Sequence, residues 1–428
     1  ATARFTPAIP EAGRYAVYVQ YRTALSGTTT SDAEYRIHHA GGTSTWRQDQ
    51  NHDGFTWKYI GSYYFEPGQD AGNGSVVLTN AASTAGQRVV ADAVRFGAGM
   101  GDVADETSGT VSGEPRWEES GRYYAGFMGK SNWTSFGTVS AMPRYAAWEA
   151  EDWESGQSVY VSWHTNAGGG TGTSSFAYAS GGLNQPFDGV PGSLALRDSI
   201  HAELINDIRN GWDADWTDRG LKTHYFGELN PDHNDEMPAS LHEIAFHDLP
   251  ADAEDIKAPK FRRLAARAIY QGIVDYYASE VDGFDDTTRL PEPPTGLSLT
   301  NNGDGSVTAD WQPPPAAGSA DIIGDTATGY RVYHSTHGRA FGSGVSVGET
   351  TTQTLSGLTT GITHYFRVTA TNSGGESLPT ETLAVYVTDA APAPVLLVNG
   401  FDRIDRFANI VEDDPIPANH YTEAFWIA

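Results

Sequence analysis

There is no cysteine among the 428 residues, which removes disulfides, thiolate metal sites and cysteine nucleophiles together. Any metal has to be held by His, Asp or Glu, and the lack of thiols suits a bacterial protein that is exported. Basic residues are scarce: 27 Lys and Arg stand against 54 Asp and Glu, a formal net charge of −27. Such a field repels nucleic-acid phosphates and anionic membrane surfaces. No nucleic-acid partner is expected; the acidity serves solubility, or suits a cationic or neutral partner such as a glycan. Apolar runs reach only a handful of residues, far short of the roughly 20 that span a bilayer, so no transmembrane segment is expected. No signal-peptide pattern opens the chain either, and both ends read as cut from a longer precursor.

The residues present suffice for packed cores, with 39% hydrophobic and 11% aromatic, and at roughly 100–200 residues per domain the length suggests about three domains. From Tyr15 the runs YAVYVQY, AEYRIHH, WKYIGSYYF, SVVLT and VVADAVRF alternate with Gly, Ser, Thr and Asn, which predicts an all-β sandwich over residues 1–98. Beyond it the period changes. Ile200, Leu204 and Ile208 recur every fourth residue in Ser193–Asn210, and Phe261, Leu264, Ala268 and Ile273 do much the same, so both stretches read as amphipathic helices. VYVSWH (Val159–His164) reads as a buried strand, GGGTGTSSFAYASGG as a Gly-rich loop, and THYFGEL (Thr223–Leu229) and SLHEIAF (Ser240–Phe246) as further strands. Strands alternating with helices predict an α/β domain over residues 99–285. The Pro-rich PEPPTGLSL then separates off a second all-β sandwich over residues 292–389. After APAP, the run VLLVNGFDR reads as the start of a further α/β unit, of which residues 394–428 are a fragment.

The stretch LHEIAFHDL (Leu241–Leu249) looks at first like a zinc-protease helix. At about 100° per residue, ligands four apart lie some 40° from one another, whereas residues five apart lie about 140° from one another. His242 and His247 are five apart, and Pro238 and Pro250 leave too little room for the helix such sites use. A strand fits better. It sends Glu243 and His247 to one face and His242 to the other.

Several of these segments resemble known families. GRYAVYVQY, YRIHHAGG, WRQDQN, FTWKYIGSYYFEPG and VVADAVRF resemble a golvesin-type domain, a carbohydrate-binding-like sandwich found in or beside bacterial cell-surface enzymes. Trp311, GYRVYHS, LSGLTTGITHYFRVTATNSGGES and AVYVTD resemble a fibronectin type III domain, with Tyr365 at its tyrosine-corner position. SLHEIAFHDLPADAED (Ser240–Asp255) is similar to the strand of zinc-dependent N-acetylmuramoyl-L-alanine amidases (amidase type 3) that delivers a catalytic glutamate, and VSWHTNA (Val161–Ala167) looks like their Ser-x-His-x-Asn strand end. The resemblance implies that Glu243 is the catalytic base and His164 a zinc ligand, with Zn2+ the cofactor. His242 and His247 fall on positions that are apolar in the family.

The implied reaction is hydrolysis of the amide between N-acetylmuramic acid and L-alanine in peptidoglycan, by a secreted or envelope-bound bacterial protein whose partner is peptidoglycan or another cell-surface glycan. Proteins with this arrangement are sometimes labelled xanthan lyase-like, but the motifs point to hydrolysis. The family takes a first histidine from a Gly-rich loop and a glutamate from the helix after it, and neither stands between residues 98 and 164. The one similar string, IHHAGG, lies within the first sandwich, where His38 and His39 read as hairpin residues. The remaining ligands are therefore expected upstream of Ala1, with the sandwich as an insertion. Weaker candidates are the acidic pairs Glu118/Glu119 and Glu149/Glu151, a packed or surface His201, and His224 and His233 flanking the glutamate strand. The rival expectation is a non-catalytic adhesion or structural protein of the envelope whose amidase-like domain has lost its metal.

Overall fold

The computed structural model of the protein describes residues 1–23, 29–82, 84–97, 121–129, 136–151, 156, 158–315, 324–388, 409–413 and 423–427. The chain divides into two compact units, residues 1–99 with 288–400 and residues 100–287 with 401–428.

The first unit opens with β1 (Thr2–Phe5), β2 (Gly13–Gln20), β3 (Ala33–His39), β4 (Gly42–Gln48), β5 (Lys58–Phe65), β6 (Ser75–Thr79) and β7 (Ala93–Phe96). They form two antiparallel sheets, β1-β6-β3-β4 and β5-β2-β7. The period of two read from the sequence is the period of burial: Ala33, Tyr35, Ile37 and His39 of β3 point inward, and the first three meet Val17, Val19, Ile60, Phe65 and Val76. The WRQDQN segment works as an internal polar clamp. Gln50 donates to Tyr35 Oη at 3.0 Å and to the Val90 carbonyl at 2.9 Å, and accepts from Val90 N at 2.8 Å, so buried polar groups are paired.

The same unit continues with β12 (Thr295–Asn301), β13 (Val307–Gln312), β14 (Gly329–Ser335), β15 (Val345–Gly348), β16 (Thr352–Leu355), β17 (Thr363–Asn372), β18 (Gly375–Glu376) and β19 (Leu383–Tyr386). One sheet is β12-β13-β16; the other is β15-β14-β17-β18, with β19 on β17. Trp311 is 1% exposed at its centre, edge-on to Tyr330 with ring centroids 5.6 Å apart.

The second unit is built on a mixed sheet ordered β10-β9-β11-β8, made of β8 (Tyr160–Asn166), β9 (Thr173–Tyr178), β10 (Asp218–His224) and β11 (Ala239–Phe246). β8 runs parallel to β11, β10 runs parallel to β9, and β9 is antiparallel to β11. Its helices are α1 (Gly121–Phe127), α2 (Thr138–Ala150), α3 (Ser193–Gly211), α4 (Pro250–Lys257) and α5 (Pro259–Glu280). The fourfold spacing holds in α3, where Leu196, Ile200, Leu204 and Ile208 are buried.

α3 and α5 approach closely at Gly272: a Cβ there would lie 2.4 Å from Ile200 Cα. We expect Gly272→Leu to destabilise the unit by about 3 kcal/mol, the upper end for overpacking because backbone has to move, read as a lower melting temperature. A second lock is Asp252, 2% exposed. Its carboxylate accepts from Thr171 Oγ1 at 2.6 Å, Gly172 N at 3.1 Å and Phe246 N at 2.9 Å, tying α4 to the loop before β9 and to the end of β11. Asp252→Ala leaves two backbone N–H groups unpaired and is expected to cost about 3 kcal/mol in denaturant unfolding.

Three expectations are corrected here. Among the described residues β8 is an edge strand, with Trp163 45% exposed; its apolar run suggested burial on both faces. The supposed Gly-rich loop contains β9, an inner strand with all six residues buried. Covered on both faces, it shows no alternation, and its Ser and Thr disguised it. THYFGEL is not one strand: β10 ends at His224, and Gly227–Leu229 form a 3-10 turn. Residues 394–408, where a new α/β unit was expected to start, lie outside the described residues, as do Glu118 and Glu119. Beyond them β20 (Asn409–Asp413) and β21 (Glu423–Ile427) pair antiparallel.

Candidate functional site

Parallel pairing of β8 and β11 sets His164 and Glu243 side by side in register. The side-chain alternation of β11 sends Glu243 to the face opposite His242. Asn166, two residues beyond His164, donates from Nδ2 to Glu243 Oε2, so both polar residues of the strand end bear on one carboxylate. Glu243 is half-buried, and burial raises its pKa above the usual carboxylate value. The positive charges of Lys222, His164, Arg219 and His224 work against that rise. Lys222 is anchored by donating to Ser174 Oγ at 2.9 Å, and its own pKa is lowered, mostly by burial. The Arg219 guanidinium lies 4.9 Å from the Phe246 ring centroid.

His164 Nε2 lies 2.9 Å from Glu228 Oε1 and 3.0 Å from Ser162 Oγ. The hydrogen bond to Glu228 raises the imidazole pKa, with desolvation opposing it. Glu228 sits on the 3-10 turn, which His233 braces by donating from Nδ1 to the Gly227 carbonyl at 2.7 Å. Sequence reasoning missed Glu228, because a lone carboxylate in a turn has no spacing that marks it. Only its position shortly before the glutamate strand could have drawn notice.

The other histidines divide cleanly. His242 is fully buried on the far face in a row running Asp218, His201, Ser175, His242, Ser240, with successive contacts of 2.9, 2.8, 2.8 and 2.9 Å. Burial pushes its pKa down to about 3. The order of an Asp, a His and a Ser suggests a nucleophile triad, but Ser175 has no exposed surface, so no substrate reaches it. His247 bonds Thr165 Oγ1 at 2.8 Å. His224 stacks on Phe226 with centroids 4.7 Å apart, near enough for its charge to act on Glu243. His38 and His39 belong to the β3–β4 hairpin, bonded to Thr43 and Ser44 at 2.9 and 3.0 Å. Glu149 accepts from Tyr145 Oη at 2.9 Å within α2.

The donor set fits a zinc centre in part. With Nε2 given to Glu228, the Nδ1 of His164 is the ring nitrogen left for a metal, the arrangement in which a carboxylate orients a ligating imidazole. Among the described residues, no group of three or more His, Asp or Glu is placed to hold a metal ion. A centre with three protein ligands needs donors from outside them.

Comparison with known proteins divides along the same lines. Residues 1–98 match the family model of the Golvesin C-terminal domain, and residues 292–386 match that of the fibronectin type III domain. The chain carries both of these domains. It is also 36% identical over 140 residues to the N-acetylmuramoyl-L-alanine amidase CwlM of Bacillus licheniformis, covering 33% of this chain and 47% of that one. Over 124 residues it is 34% identical to the sporulation-specific N-acetylmuramoyl-L-alanine amidase of Bacillus subtilis (strain 168), covering 29% and 41%. The xanthan lyase of Bacillus sp. (strain GL1) is 37% identical over 93 residues, 22% of this chain and 10% of that one. The chain thus spans less than half the length of each of these relatives. None of the described helices is long and apolar enough to cross a membrane.

Proposed function

We propose that the second unit is the catalytic part of a zinc-dependent N-acetylmuramoyl-L-alanine amidase acting on peptidoglycan, secreted or held at the bacterial envelope. The two sandwiches serve it as glycan- or surface-binding modules. The observation that carries the reading is the pairing of Glu243 with His164 on adjacent parallel strands. The relatives named as amidases support peptidoglycan hydrolysis as the kind of reaction.

In this reading Glu243 accepts a proton from the attacking water, whose oxygen bonds to the lactyl carbonyl carbon of the muramic acid. The carboxyl then returns the proton to the alanine nitrogen as the C–N bond breaks, leaving a free lactyl carboxylate and a free amino group. Asn166 fixes the direction of the carboxylate. Lys222 and Arg219 keep the surroundings cationic, which favours the ionised base before the water is deprotonated and the oxyanion that follows. His164 would hold the zinc, with the other ligands from outside the described residues. When bound, the ion supplies a polarised carbonyl and a more acidic water.

A pH dependence follows. A base has to be ionised, and Glu243 sits above its ordinary pKa, so the acid limb of kcat/KM lies above the usual glutamate range. Lys222→Met removes a charge that favours the ionised form, raises that pKa further and moves the limb to higher pH, as a pH–rate profile on a soluble muramyl peptide would record.

The deciding experiment incubates the full-length protein with purified peptidoglycan and follows the products. An amidase releases new alanine amino termini without new reducing ends and without the unsaturated sugar a lyase would leave. A protein that binds the wall and releases none of these is the non-catalytic adhesion protein instead.

A further inference from the structure

Within the first unit, the golvesin and fibronectin type III sandwiches meet along a tight seam. A Cβ on Gly41 would lie 2.3 Å from the backbone carbonyl carbon of Ala340. Ser343 N donates to the Thr43 carbonyl at 3.3 Å. The His337 ring packs at a tilt against Tyr64 with centroids 4.5 Å apart, and its Nε2 lies 3.1 Å from Glu66 Oε1. Beside this seam opens a cleft of about 560 Å³ lined by Arg14 of β2, Tyr64 of β5, Arg339 and Phe341 of the loop after β14, Arg367 of β17, and Thr382. The volume falls in the range of small-ligand pockets, about 300–1,000 Å³.

Three arginines line it, in a chain whose carboxylates outnumber its basic residues 54 to 27. Among the described residues none of the three forms an ion pair. Arg14 donates to the Arg339 carbonyl at 3.5 Å and the Ser62 carbonyl at 3.2 Å, contacts that orient its cation without neutralising it. Arg367 is held between two rings, its guanidinium 4.2 Å from the Phe341 centroid and 5.1 Å from that of Tyr333. Its Nε is buried with no hydrogen-bond partner. Glu376, a carboxylate whose charge acts on Arg367, already accepts from Tyr333 Oη and Thr369 Oγ1, each at 2.5 Å, and lies 3.6 Å from Arg331 Nε. Burial above all disfavours the Arg367 cation, with the charge of Arg14 adding to it, while Tyr333 and Glu376 act in its favour. An anion in the cleft would offset both effects.

We propose that this cleft binds the anionic group of an acidic glycan, a sugar bearing a carboxylate or a phosphate. Planar guanidinium forks match either oxyanion, and two of the three forks are positioned before any ligand arrives, which lowers the ordering cost of binding. Tyr64 and Phe341 give the cleft an apolar wall against which a sugar ring can lie. The net charge of −27 disfavours an extended polyanion such as nucleic acid or an anionic membrane, and leaves a local anion on a largely neutral chain as the matching partner. The proposal rests on the sandwiches being glycan-binding modules and is independent of hydrolysis by the second unit.

The test is calorimetric titration of the whole protein at low salt with a chitin oligomer bearing a single terminal carboxylate, a sugar phosphate and a neutral chitin oligomer. The carboxylate or the phosphate probe binds, whichever the cleft takes, and the affinity falls with salt. Arg14 and Arg339 are exposed, so the double variant Arg14→Gln with Arg339→Gln keeps its melting temperature and its hydrolysis of a soluble muramyl peptide while that affinity drops at least tenfold. Arg367→Lys keeps the charge, loses the fork and weakens binding severalfold. Acidic probes that bind no better than the neutral oligomer, or that bind the double variant equally well, overturn the assignment. If the neutral oligomer alone binds, this cleft assignment fails and the glycan-module reading survives; if no probe binds, both fail.

Discussion

Glu243→Gln in the full-length protein is expected to lower the release of alanine amino termini from peptidoglycan by about 10²–10⁴-fold, the usual worth of a positioned general base. The substitution keeps the shape of the side chain and its hydrogen bond with Asn166, with the amide oxygen facing the Asn166 amide. It removes only the capacity to take a proton. Folding should therefore survive: Glu243 is half-buried and burial already disfavours its charge, so a neutral isostere sits there with little penalty. The melting temperature of the variant decides between explanations. A stable, inactive protein points to lost proton transfer, whereas a destabilised one points to a structural role for the carboxylate. Unchanged hydrolysis would sink the mechanism outright. Asn166→Ala is expected to act more weakly, because it frees the carboxylate without removing it.

The strands of the first sandwich were legible because one face of each meets a core and the other meets solvent. Alternation then appears in the letters themselves, as in AEYRIHH, which coincides with β3. The two long helices showed through their fourfold spacing. β9 was hidden for the opposite reason: with both faces covered there is nothing to alternate, and small Ser and Thr side chains fit beneath α3 where bulky apolar ones would not. The two residues singled out as a site, His164 and Glu243, lie far apart in the chain, and it is parallel pairing between β8 and β11 that makes them neighbours. Glu228 could not be found in this way. It reaches His164 from a turn, and turns leave no period to read. His242 and His247 caught the eye for their spacing around a glutamate, yet their partners include Ser175 and Thr165, which stand on two different strands.

His164→Ala carries the second large effect, and its readout is metal content. If His164 is a zinc ligand, full-length protein purified without chelator holds zinc in a fixed ratio and the variant does not, since a tetrahedral centre with one open position has no spare protein ligand. Hydrolysis falls with it. Glu228→Gln separates ligand from support. In the wild type the Glu228 carboxylate engages Nε2 at 2.9 Å and raises the imidazole pKa, which makes the ring a more basic donor through its other nitrogen. Gln can still accept the Nε2 proton but carries no charge, so zinc binding is expected to weaken by about 10–100-fold, as for other changes around a ligating histidine. If His164→Ala instead retains stoichiometric zinc, the histidine is no ligand, and its pairing with Glu228 is a structural contact at the end of β8. If Glu228→Gln removes zinc as completely as His164→Ala, the carboxylate is itself a ligand rather than a support.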